Sequence, residues 1–213
     1  MQAAGNGVIN IVMKKLRKDS YSANFQQQFK RGVFNKYKAG GSVLAKYRKW
    51  YFNFSYNYDQ RKDQLEENNS IRFIENGATE SEWQEENSRI SQLYSHTYSA
   101  FTEYEIKPDA SISFRSAGKL VPDYQANTLS GTNIMNIGAA PDSSFSNSIN
   151  ARVVNQYLDG FVGYKQKFGK VQLSTGVDYS QYFKSRDQFV DSEFFDEMGD
   201  LKSTSTFEQT ADQ

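Results

Sequence analysis

The residues best suited to chemistry are few. His96 is the only histidine of the 213-residue chain, and there is no cysteine. One imidazole without thiols cannot complete a His/Cys zinc site, and no nucleophile motif accompanies His96 to build a triad. The densest run of oxygen ligands is Asp191, Glu193, Asp196, Glu197 and Asp200. Such a run suits Ca²⁺ in a loop, but its spacing departs from the EF-hand pattern, and solvated loop charge is the simpler reading. Ala39-Gly40-Gly41-Ser42 lacks the Lys-Ser/Thr ending of a phosphate loop. Lys14, Lys15, Arg17 and Lys18 cluster, yet 25 basic residues balance 25 acidic ones, so no overall positive field draws nucleic acid. The expectation is a protein that is not an enzyme. It has no catalytic or metal-ligating residue and no cofactor, and no residue is singled out for substrate.

The elements that must position side chains are more legible. Hydrophobic content is 38% and mean hydropathy −0.74, so a large buried core is hard to fill. Aromatics nevertheless reach 15%, with 14 Tyr and 16 Phe, which separates the chain from disordered polypeptides. The rings must therefore sit on surfaces. Period-2 alternation places them on strands. Trp50, Phe52, Phe54, Tyr56 and Tyr58 fall on one face; Tyr51, Asn53, Ser55, Asn57 and Asp59 fall on the other. The same alternation runs through Tyr21–Phe29, Tyr94–Ile106, Ala110–Arg115 and Val171–Ser180. It is weaker in Ala39–Tyr47, which contains Gly40 and Gly41, and in Val154–Lys165, where aromatics occupy both faces.

Connections are uneven. Arg48-Lys49, Lys107-Pro108-Asp109 and Lys167-Phe168-Gly169-Lys170 read as tight hairpin turns. Between them lie polar stretches, about Arg61–Asn87, Gly118–Asn147 and everything after Arg186, which read as long loops. Short turns alternating with long loops are a feature of transmembrane barrels, whose strands are short and only half apolar. No apolar window is long enough for a membrane helix. The expected fold is all-β: an antiparallel transmembrane β-barrel, incomplete, with about seven strands. The odd count, the missing signal peptide and the strandless acidic tail Asp191–Gln213 favour a fragment of an exported protein.

Gly5-Asn6-Gly7-Val8-Ile9-Asn10-Ile11-Val12-Met13-Lys14-Lys15 resembles the end of the plug domain in TonB-dependent receptors. There a small-residue turn leads into a strand reading Val/Ile-Ile-Asn-Ile-x-x-Lys-Lys before the barrel begins; Met13 stands where Thr or Leu is more usual. Tyr21–Tyr58, and Lys46–Tyr58 above all, is similar to the early barrel strands of the Bacteroidetes-type outer-membrane family. The resemblance implies residues 1–18 as plug end and linker, including one plug-derived strand, and 19–213 as the N-terminal part of a barrel of about 22 strands. It implies an outer-membrane protein of a Gram-negative bacterium, in contact with outer-membrane lipid. It also implies TonB coupling through a region upstream of Met1, and a possible surface lipoprotein partner. The activity implied is uptake of an oligosaccharide, a peptide or a metal chelate. Two other readings are a non-transporting barrel with an adhesive or structural role, and a soluble β-sandwich that binds carbohydrate.

Overall fold

The computed structural model describes residues 19–136 and 141–213. The segment resembling a plug strand and the cluster Lys14, Lys15, Arg17 and Lys18 lie outside the described residues. Within them the chain forms eight strands: β1 (Ser20–Arg31), β2 (Asn35–Tyr47), β3 (Trp50–Glu75), β4 (Ala78–Lys107), β5 (Ala110–Asn136), β6 (Pro141–Phe168), β7 (Val171–Phe195) and β8 (Leu201–Asp212). They pair antiparallel in chain order in one sheet. β1 and β8 do not pair with each other, so the sheet is open.

The three short turns fall where the residue types place them. Arg48 takes φ 53°, and Asp19 Oδ1 accepts a hydrogen bond from its backbone N at 2.7 Å. Pro108 pre-sets the turn after β4. Gly169, at φ 59°, turns β6 into β7.

The long loops, in contrast, are strands. β3 to β7 are 25 to 30 residues long. Asn76 and Gly77, both at positive φ, close the β3–β4 hairpin as a type I′ turn requires. The acidic tail likewise contains β8, paired with β7 from Ser185↔Asp212 to Phe195↔Leu201. Eight strands replace the expected seven. Hydrophobic period reports a strand only where one face is apolar along its length, and in these hairpins polar residues interrupt both faces. Their ladders are held by backbone pairing and polar cross-strand pairs: Ser70 Oγ donates to Glu82 at 2.7 Å, and Thr206 and Thr210 Oγ1 donate to Asp191 and Asp187 at 2.9 Å. One irregularity is built by proline. Val121 and Pro122 together face Ser95, because Tyr94 pairs with Asp123 and His96 with Leu120. A residue without an N–H fits a bulge rather than a regular ladder.

The sheet curls. Ser95, Glu103, Val121, Ala126, Ser130 and Thr132 are buried on one face, the inner, concave one, whereas Ala110, where β5 leaves its turn, is buried on the other. The outer face carries most of the exposed large apolar side chains, including Phe25, Phe54, Phe114, Val162 and Val177.

Candidate functional site

The outer face is sorted by height. Next to the short turns lies a row of Tyr47, Trp50 and Tyr104, with the Trp50 and Tyr104 rings 4.7 Å apart. Above it come Ala45, Val43, Phe52, Phe54, Ala100, Phe114, Val162 and Val177. A second row follows with Tyr37, Tyr58, Tyr56, His96 and Tyr98. The Tyr37 and Tyr58 rings are 6.3 Å apart, and those of Tyr58 and His96 5.1 Å. His96 thus belongs to an aromatic row, with Nδ1 2.6 Å from the Tyr56 hydroxyl. Beyond that row the same face turns polar and acidic through Gln60, Gln64, Glu66, Glu86, Asp191 and Glu193. The apolar belt therefore spans Trp50–Tyr58 on β3 and Tyr94–Tyr104 on β4, close to the roughly 9–11 residues with which a strand crosses a bilayer. A 30-residue strand such as β4 extends roughly 100 Å, so most of each long hairpin from β3 to β7 projects past the belt, while β1 and β2 end near its upper row.

Level with the belt, the inner face is polar. Arg115 lies over the Phe161 ring at 5.4 Å and pairs with Asp159 at 3.5 Å and Asp178 at 3.4 Å. The Phe161 ring covers two glycines that face each other across β6 and β7, Gly163 and Gly176. A Cβ on either would stand 2.6 Å from Phe161 Cζ. Nearer β1, a groove of about 660 Å³ is lined by Gln26, Gln28, Lys38, Asn57, Asp59 and Thr97, among others. Asp59 Oδ2 is 3.4 Å from Lys38 Nζ, while its buried Oδ1 has no hydrogen-bond partner among the described residues. This face presents amides, hydroxyls and paired charges.

Toward the distal tips the inner face changes character again. Phe73 of β3, Trp83 of β4, Phe145 of β6 and Phe194 of β7 form a row, with ring centroids 5.3, 6.5 and 6.1 Å apart in sequence. Ile134 of β5, opposite Trp83, completes the row. Phe73 and Phe194 stay 41% and 43% exposed, so the row is not a sealed core. Beside it run Asn69, Glu85, Ser130, Thr132, Asn147 and Ser192. Asn69 and Ser130 donate to Glu85 at 3.4 Å, and Ser192 donates to Asn147 at 2.7 Å. Sequence reading missed this row. The aromatics sit in segments read as loops, and only the register brings them together.

The acidic run has local partners. Asp191 and Glu193 lie in β7 and accept from Thr206 and Ser146. Asp196 opens the β7–β8 turn: its Oδ1 accepts from the backbone N of Met198 and Asp200 at 3.0 and 2.8 Å, and its Oδ2 pairs with Lys202 at 2.6 Å. These contacts, the Lys202 hydrogen bond first, hold its carboxyl below the usual range.

No protein-family model matches the chain, and no curated protein matches it either. The likeness to TonB-dependent receptors therefore rests on Gly5–Lys15 and on the strand pattern.

Proposed function

We propose that this sheet is a section of the wall of an outer-membrane β-barrel, and that the barrel takes up a nutrient in the manner of TonB-dependent receptors. The observation that carries the reading is the outer belt. Phe, Val and Ala lie between two rows rich in Tyr, at bilayer height, as a continuous band on the convex face. A soluble protein has no reason to confine exposed aromatics to such a band. The polar inner wall supports passage of a hydrated solute. Among the described residues, the outer edge of β1 and the edge of β7 at Val171–Phe183 have no neighbouring strand. A bilayer tolerates no such edge, so the reading requires further strands along both edges.

The two tryptophans test the placement. Trp50 lies in the belt on the outer face, and Trp83 lies distally on the inner face. In the full-length barrel reconstituted in vesicles containing bromine-labelled lipid, with other tryptophans replaced, Trp50 fluorescence is quenched and Trp83 fluorescence is not, and Trp50→Phe removes most of the quenching. Equal quenching of both, or of neither, rejects the membrane wall. Uptake is tested on the full-length receptor in cells: import of its nutrient stops when an uncoupler collapses the proton gradient, and import that survives the uncoupler rejects TonB coupling.

A further inference from the structure

The outer belt leaves a second aromatic surface unexplained, the inner-face row Phe73, Trp83, Phe145 and Phe194 at the distal tips. Lipid cannot reach it. It lies far from the belt, and on the opposite face. Charge is also divided between the two faces at this height. The outer face bears Glu66, Glu86, Asp191 and Glu193 around a recess of about 1100 Å³ that the twist of the long hairpins opens. The groups beside the inner rings are mostly amides and hydroxyls, with two carboxylates, Glu67 and Glu85, the second already accepting from Asn69 and Ser130. We propose that this inner row binds a neutral oligosaccharide, the rings stacking on the apolar faces of successive sugars while the amide and hydroxyl row beside them bonds the hydroxyls. A cationic ligand would be drawn to the acidic outer face instead. An anionic one would meet Glu67 and Glu85 with no cation in the row to balance them. An apolar peptide would leave the amides and hydroxyls unpaired, at a cost for each buried polar group. The rings cross four strands rather than following one, so the ligand lies across the hairpins.

The inference deepens the uptake reading and rests on it only for the side from which the ligand arrives. Its test uses the full chain in detergent micelles with Trp50→Phe, so that Trp83 is the sole tryptophan. The probes are neutral gluco-, galacto-, manno- and xylo-hexaoses, with uronate oligosaccharides and neutral apolar peptides in parallel. At least one neutral hexaose shifts Trp83 emission saturably. Phe145→Ala and Phe194→Ala each weaken binding about tenfold, while Tyr56→Ala on the outer face leaves it unchanged. Equal far-ultraviolet circular dichroism across the variants separates lost binding from lost folding. Trp83→Phe, followed by calorimetry, keeps most of the affinity. No response to any neutral hexaose, tighter binding of uronates or peptides, or indifference to Phe145→Ala and Phe194→Ala overturns the proposal. Bromolipid quenching without sugar binding removes this inference alone; sugar binding without quenching removes the membrane wall and leaves the sugar site.

Discussion

Ring and glycine meet by register at several points of the sheet, and that pairing is the residue-scale device that shapes it. Tyr98 covers Gly118 on the outer face, with a Cβ there only 2.9 Å from Tyr98 Cζ, and Phe161 covers Gly163 and Gly176 on the inner face. A ring laid on a glycine restores packing where the strand has no side chain, and the glycine lets the strand bend. Gly176→Val drives a branched side chain into the Phe161 ring. It lowers stability by about 1–3 kcal/mol, read as an earlier urea midpoint in micelles. Gly160→Ala, with nothing within 4 Å of its Cβ, changes stability by less than about 0.5 kcal/mol. Equal effects at the two positions would show that Phe161 does not rest on Gly176. None of this was legible in the sequence, because neither Gly176 nor Phe161 announces its partner; only the pairing Gly163↔Gly176 brings the three residues together. Arg115 was legible as a polar-face residue of an alternating strand, but its carboxylate partners come from β6 and β7.

At the scale of the element, the strands were visible in the sequence as far as their apolar face extended and no further. Trp50–Tyr58 announces itself by alternation, and the rest of β3 to Glu75 does not, since Glu66, Asn68 and Ser70 alternate with Glu67, Asn69 and Ile71. What carries the distal ladders is backbone pairing closed by tight turns such as Asn76-Gly77 and the Asp196–Asp200 turn. The second of these titrates. Asp196 is held below the usual carboxylate range, so the ionised form is favoured by folding. The stabilisation is complete above the unfolded pKa and is lost as pH falls through the depressed folded value. β8 therefore loosens in acid, below about pH 4. Amide exchange of β8, corrected for its intrinsic rate, rises there while β4 and β5 stay protected. In Asp196→Asn the β8 amides exchange faster at neutral pH and the acid step flattens. An unchanged acid step in that variant would assign the loosening to another carboxylate.

Across the whole molecule, height along the strands sorts composition more strongly than chain order does. Apolar and Tyr side chains fill the belt on the outer face, and the distal hairpins carry more carboxylates on that face and a row of rings on the inner one. The evenness of charge in the full sequence hides this polarity. So does the low mean hydropathy, because the hairpins beyond the belt dilute it. The asymmetry first read as loop length is one of strand length past the belt, and it supports the membrane reading on firmer physical ground. Loops vary for many reasons, whereas an apolar band at one height on one face is what lipid selects. An arginine scan on the outer face measures that band directly. Val162→Arg, at mid-belt, costs about 2–4 kcal/mol for the full-length barrel in lipid vesicles, whereas Leu129→Arg, on the same face but distal and 62% exposed, costs about 0–1 kcal/mol. In detergent-free buffer the order disappears, because water solvates both arginines equally. A flat profile in vesicles would mean that the belt does not lie in lipid, and the aromatic outer face would then need a protein partner instead.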